Sequence, residues 1–236
     1  MKVNVVVVMP AYNAEKTIVD TYAEIPEVYK KHVILVDDGS SDNTIKVAKN
    51  LGISVFLHGN NLGYGANQKT CYAKALLLNP QVVVMLHPDY QYDATKIDKL
   101  VKPILQGDYD FVFGSRIATR NGALDGGMPK IKYFINRVVC ILQNMLLGQN
   151  FSEYFSGFRA YSFEFLKNIS FQNLSNDFVF DQQIMLLAIH KNYRVGEVPI
   201  PTRYHTQASS IGYLKGGKFL IETFWNIILV KLGLLS

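Results

Sequence analysis

The chain has 236 residues, 49% of them hydrophobic and 18% charged, with a formal net charge of +5. That composition can bury one substantial core, and it excludes a disordered or collagen-like chain. A sequence pI near 9.0 suits an anionic partner without choosing one.

The first apolar run, "VNVVVVMP" (Val3 to Pro10), reads as a strand. It is short and lacks a small-residue cleavage site, which predicts no secretory leader and a cytoplasmic location. A helix is expected over Glu15 to Lys30, then a strand over His32 to Asp38, "HVILVDD". Asp42 to Leu51 reads as a helix capped by Ser41 or Asp42. Ile53 to Gly59 reads as a strand, Tyr64 to Leu78 as a helix and Val82 to Pro88 as a strand. Ala94 to Gln106 reads as a helix and Phe111 to Arg116 as a strand. The strand runs are continuous rather than alternating, as in a sheet covered on both faces. Strand and helix in turn predict an α/β fold with a mostly parallel sheet and right-handed crossovers. Cys71 and Cys140 fall in apolar helical patterns and are expected to be buried, reduced thiols.

The second half is less regular. Residues 117 to 130 are rich in glycine and polar side chains and read as a mobile loop. "IKYFINRVVCILQNMLLG" and "FVFDQQIMLLAIHKN" read as helices, and "YRVGEVPIPTRYH" as an extended edge whose prolines need no partner. Gly212 to Ser236 reads as a last helix. The expected division is a catalytic domain over residues 1–211, with halves 1–117 and 118–211, and a C-terminal amphipathic helix over 212–236.

Ligands of an open parallel sheet bind at the carboxyl ends of its strands. The strands here are followed by "PAYNAEKT", "DDGSSDNT", "HGNNLGYGANQ", "HPDYQYD" and "GSR", all small, polar or charged, and all expected on one rim. The loops suit a nucleotide. Tyr12 can pack on a base or ribose, Asp38 can accept from a base N–H or a ribose hydroxyl, and Asn61, Gly63 and Gly65 allow close backbone approach. No glycine-rich phosphate cradle is present, so a diphosphate would need a metal ion, cationic side chains, or both. His87, Asp89 and Gln91 stand two residues apart and can face one way, sharing a divalent ion that bridges two phosphate oxygens. The competing readings are a helix or turn cap for Asp89, a packed or hydrogen-bonded histidine for His87 and a surface amide for Gln91.

"MPAYNAEKTI", "ILVDDGSSDNT", "NNLGYGAN", the Asp89 motif and "FSGFRAYS" lie in an order and at spacings that resemble the family-2 inverting glycosyltransferases of the GT-A fold. The resemblance covers roughly residues 3 to 205. It looks strongest to the polyprenyl-phosphate sugar transferases, of the dolichyl-phosphate mannose synthase type. It implies a Rossmann-like nucleotide-binding sheet with helices on both faces, and transfer from a UDP-sugar or GDP-sugar. It implies that Pro10, Ala11, Tyr12, Asn13, Glu15 and Asp38 grip the nucleoside, that Gly65 lies by the donor, and that Arg203, in "PTRYH" (Pro201 to His205), lies near the donor or acceptor diphosphate. Asp89, Gln91 and His87 would hold Mn2+ or Mg2+, while Arg116 and Arg137 would meet donor or acceptor phosphates. The family pattern after the fourth strand is Asp-x-Asp-x-Gln, and this chain departs from it at His87. Imidazole ligates Mn2+ well and suits Mg2+ poorly.

The implied reaction is direct displacement at the anomeric carbon with inversion. A hydroxyl acceptor needs a base, for which Asp181 and Glu153 are candidates; the bland alternative has Asp181 orienting an arginine and Glu153 bonding a loop. A lipid-linked phosphate acceptor needs none. A non-catalytic nucleotide-sugar-binding module is the other class of reading, and a nucleotidyltransferase would need carboxylates for two metals. Nucleic acid is not an expected partner. In the tail, Lys215, Lys218, Glu222 and Asn226 fall on one helical stripe, with Leu220, Ile221, Phe224, Trp225, Ile228 and Leu229 over the rest. The run is too short and interrupted for the roughly 20 residues of a span. It is expected to lie in a membrane interface, as is Lys132 to Leu147, which has Phe134, Val138, Ile141 and Met145 on one side and Arg137 on another. The alternative is that both helices cover the core or a second subunit.

Overall fold

The computed structural model describes residues 4–119, 122–204 and 213–235, the side chains of the last segment from residue 216. The chain runs β1 (Val5–Ala11), α1 (Ile18–Glu24), α2 (Glu27–Lys30), β2 (Val33–Asp37), α3 (Thr44–Asn50), β3 (Ser54–Leu57), α4 (Tyr64–Leu76) and β4 (Val82–Met85). It continues through α5 (Ile97–Leu105), β5 (Phe111–Ser115), α6 (Gly122–Asp125), α7 (Lys130–Leu147), β6 (Arg159–Ser162), α8 (Phe163–Asn168), α9 (Phe180–His190), β7 (Val195–Pro199) and α10 (Tyr213–Lys231). The strands form one sheet in the order β3-β2-β1-β4-β6-β5-β7.

Every residue of β1, β2, β4 and β5 is buried, which accounts for their continuous apolar runs. Alternate residues feed two cores. Val6 and Val8 face a layer with Tyr72, Phe165, Phe180 and Ile227. Val5, Val7 and Met9 face a layer with Ile18, Leu100 and Val101. Each such side chain contributes roughly 1.5–3 kcal/mol by burial. Both cysteines are free and buried, as expected, and burial pushes the Cys140 thiol up to about 12.

Three expectations are corrected. The single helix over Glu15 to Lys30 breaks into α1 and α2, because Ile25 precedes Pro26 and takes an extended backbone, φ −63° and ψ 125°. The loop over 117–130 contains α6. The motif "FSGFRAYS" contains an unforeseen strand, β6, which runs antiparallel between β4 and β5. Its Met85↔Arg159 register carries the segment before it to the rim where the parallel strands end. Pro10 lies inside β1 yet past the pairing with β4, which ends at Val8↔Met85, so its missing N–H breaks no ladder there.

Candidate active site

The first two rim loops are stitched together. Asn13, at φ 52°, donates its backbone N–H to Ser40 Oγ at 2.8 Å and accepts from Ser41 N at 2.9 Å. Glu15 accepts from Asn43 N at 3.0 Å and Asn43 Nδ2 at 2.9 Å. Those bonds to Asn43 hold its carboxyl below the ordinary value. Pro10 and Ala11 belong to β1, and Ala11 O accepts from Asp38 N at 2.9 Å. Of the six residues expected at the nucleoside, Tyr12 is the one left with a well-exposed aromatic face, 55% accessible.

Asp38 is buried, and its oxygens accept from Leu62 N at 2.9 Å, Gly63 N at 3.0 Å and His58 Nδ1 at 2.6 Å. It organises the third rim loop. Its neighbour Asp37 accepts from Ser40 N at 2.9 Å through Oδ2, while its buried Oδ1 has no partner among the described residues. An orphaned buried acceptor is costly, and Asp37, which sequence reading noted only as half of a pair, carries one. Gly65 has a packing reason to be glycine: a Cβ there would lie 2.8 Å from Phe180 Cβ, and its N–H meets Asn176 O at 2.8 Å.

The fourth loop is pinned from α1. Thr17 Oγ1 donates to Pro88 O at 2.6 Å, and Tyr90 N donates to Thr21 Oγ1 at 3.0 Å. Asp89 Oδ1 accepts from Gln91 N at 3.1 Å. The cap of the helical turn that follows is Asp93, accepting from Thr95 N at 3.0 Å, so Asp89 caps only its own turn through Gln91 N. His87 and Asp89 are half-buried and Gln91 is buried. Among the described residues no three His, Cys, Asp or Glu side chains form a closed metal site. An imidazole, a carboxylate and an amide oxygen make an open donor set, which fits a divalent ion whose remaining ligands come from substrate phosphates. Gly157 leaves room for the ring: a Cβ there would come within 2.7 Å of His87 Nε2.

Behind His87 lies a polar chain. Tyr64 OH donates to Asp181 Oδ2 at 2.6 Å and lies 3.0 Å from His87 Nε2. Tyr64 stacks on His87 at 5.4 Å and on Phe178 at 4.8 Å. Burial, and then Asp181, keep the Tyr64 phenol well above its ordinary value. Asp181 Oδ1 lies 3.8 Å from Nη1 of the fully buried Arg159, which also donates to Asp181 O at 2.7 Å. Burial disfavours the Arg159 charge, but Asp181 together with Tyr161 and Tyr72 outweighs it and holds the guanidinium above its usual value.

The other expected cations are engaged. Arg116 donates to Glu153 Oε2 from its backbone N at 2.8 Å and to Oε1 from Nε at 2.7 Å. Both are buried, so Glu153 is the counter-ion of an arginine rather than a poised base. Arg137 Nη1 donates to Ser152 O at 3.2 Å, one residue from that pair. Arg203 forms a bidentate pair with Glu24 at 3.0 and 2.8 Å and lies 4.4 Å over the Tyr90 ring; His205 lies outside the described residues. A cation that sequence reading passed over, Lys132, is held below its ordinary pKa by burial and then by Arg116.

The model of the Glycosyl transferase family 2 domain matches residues 6–170. The chain belongs to glycosyl transferase family 2. This glycosyltransferase is 32% identical over 223 residues to an uncharacterised protein of Methanocaldococcus jannaschii, covering 94% of this chain and 91% of that one. It is 28% identical over 245 residues to a Methanococcus voltae protein named UDP-N-acetylglucosamine–dolichyl-phosphate N-acetylglucosaminyltransferase, covering 96% and 95%. Its fold matches glucosyl-3-phosphoglycerate synthase of Mycobacterium tuberculosis, crystallised with Mn2+, UDP-glucose and phosphoglyceric acid. That match has a TM-score of 0.73 at 18% identity and covers 99% of this chain and 81% of that one. The architecture is GT-A: a mostly parallel mixed sheet with helices on both faces.

Proposed function

We propose that this glycosyltransferase works at a membrane surface, moving a sugar from a nucleoside-diphosphate sugar to a lipid-linked phosphate with inversion. The observation that carries the reading is the polarity of α7 and α10. Val139, Ile227 and Val230 pack inward, but many of the helices' large apolar side chains face outward, with Phe134 68%, Met145 76%, Ile221 74% and Trp225 58% exposed. Their polar ones face inward: Asn136, Gln143, Thr223 and Asn226 are buried, and Gln183 Nε2 donates to Asn226 Oδ1 at 2.9 Å. Asn226, expected on one stripe with Lys218 and Glu222, is held inward by that bond. Lys218 stays outside, paired with Glu222 at 3.3 Å, and the Lys215 side chain lies outside the described residues. Helices that bury amides and expose aliphatic and aromatic groups suit an apolar phase on their outer side. No helix among the described residues is long and apolar enough to cross a membrane, so the contact is interfacial. Arg137 projects from the same helix, α7, and so joins the apolar face to the Arg116–Glu153 pair.

Tyr12 and Asp37 receive the nucleoside, and the relative named for a UDP-sugar makes UDP-sugars the first donors to test. His87, Asp89 and Gln91 hold Mn2+ or Mg2+. When bound, the ion neutralises charge on the departing nucleoside diphosphate. Arg137 and Lys132 orient the acceptor phosphate, with Arg116 behind them. That phosphate is already anionic at neutral pH, its second pKa being about 6, so no protein base is required. Asp181, bonded to Tyr64 and beside Arg159, is free of that duty.

The test combines nucleotide sugars, Mn2+ or Mg2+, and either polyprenyl phosphate in anionic liposomes or soluble sugar hydroxyls, reading nucleoside diphosphate release and liposome sedimentation. Transfer to the lipid phosphate with liposome binding is expected. Transfer only to a soluble hydroxyl, with no liposome binding, overturns the proposal and returns Asp181 to the role of base.

A further inference from the structure

We infer that Tyr64 and Asp181 are positioning residues that fix the tautomer of His87, so that its Nδ1 lone pair is the one offered to the divalent ion. The inference rests on the reading of His87 as a metal ligand and says which nitrogen binds and what makes it available.

Tyr64 has one hydroxyl proton, and Asp181 Oδ2 takes it at 2.6 Å. Arg159 Nη1 stands 3.8 Å from the other oxygen of that carboxylate, and a carboxylate oxygen accepts rather than donates. The phenol oxygen is left to accept in turn, and its neighbour at 3.0 Å is His87 Nε2. Nε2 therefore carries the ring proton, and neutral imidazole then has its lone pair on Nδ1. Among the described residues no hydrogen bond reaches Nδ1. The packing holds this orientation. Tyr64 is clamped between His87 and Phe178, and the Nε2 edge of the imidazole abuts Gly157, where a Cβ would intrude to 2.7 Å. A ligating histidine whose other nitrogen is held by a hydrogen-bond partner is the usual way a protein sets the tautomer and the basicity of the metal-facing nitrogen. A carboxylate needs no such arrangement, so the device matters only because this chain has histidine where its family usually has aspartate.

The test is Mn2+ binding to the whole protein with nucleoside diphosphate present, read by titration and by pulsed electron paramagnetic resonance for nitrogen coupled to the ion. The wild type should show coupled nitrogen, lost in His87→Ala. Tyr64→Phe keeps the stacked ring and removes the acceptor, so it should weaken Mn2+ binding about 10–100-fold, the usual cost of losing such a partner. Placed on a His87→Asp background, the same change should leave Mn2+ affinity unaltered. If Tyr64→Phe weakens binding equally in both backgrounds, its role is structural and the inference fails. If it changes neither affinity nor the nitrogen signal while His87→Ala still abolishes that signal, the tautomer argument fails and the ligand reading stands. No coupled nitrogen in the wild type removes His87 from the metal, and the inference with it.

Discussion

Replacing Glu153 by leucine separates a structural carboxylate from a catalytic one. Glu153 is fully buried and faces an arginine that is itself 6% exposed. It accepts from Arg116 N at 2.8 Å, Arg116 Nε at 2.7 Å and Asn136 Nδ2 at 3.3 Å. Leucine at 153 strands the guanidinium in the core, a loss of about 3–5 kcal/mol for a broken buried pair. At this chain length that lowers Tm by roughly 6–20 °C. Removing both charges, as Arg116→Met with Glu153→Leu, takes away the stranded cation. The Arg116 N–H still loses its acceptor, at about 1–3 kcal/mol, so the double variant should recover part of the loss. Thermal unfolding followed by circular dichroism reads both. A single variant within about 1 kcal/mol of wild type, or a double variant no better than the single, would refute the placement of Glu153 as counter-ion. A stable single variant devoid of activity would revive it as a base.

Asp89→Ala should abolish transfer while leaving Tm near wild type, because a metal-bridged diphosphate contact is worth several kcal/mol in the transition state; near-normal turnover would remove Asp89 from the reaction. His87→Asp should move the metal preference toward Mg2+, since carboxylate suits the harder ion, and an unchanged ratio of Mg2+-supported to Mn2+-supported rates would count against His87 as ligand. Truncation before Tyr213 should weaken sedimentation with anionic liposomes, and Arg137→Ala should lose transfer to polyprenyl phosphate while UDP binding, measured by calorimetry, persists. Equal loss of UDP binding in the Arg137 variant would place that arginine at the donor instead.

Local pattern was enough for much of this molecule. Four of the five strands of the first half, β1, β2, β4 and β5, could be read directly because each is buried on both faces, so its apolar run is unbroken, whereas β3 at the sheet edge is partly exposed. The rim loops follow from chain order, since parallel strands must end together, and the sequence motifs alone resemble the family whose model matches residues 6–170. Tertiary structure decided what local pattern cannot carry. The strand β6 is four residues, "RAYS", and begins with an arginine whose partner Asp181 lies 22 residues further on. The hydrophobic period of α7 and α10 marks a stripe but not its direction, and only packing against α9 shows that amides such as Asn226 point inward and Trp225 outward. Asp37 and Asp38 are indistinguishable as adjacent letters, yet the amides of Leu62 and Gly63 occupy one and leave an oxygen of the other unmet. Arg203 is committed to Glu24 across 179 residues, and Tyr64 to Asp181 across 117. Periodicity reports on neighbours along the chain, whereas a buried charge or hydroxyl is satisfied by whatever the fold brings beside it.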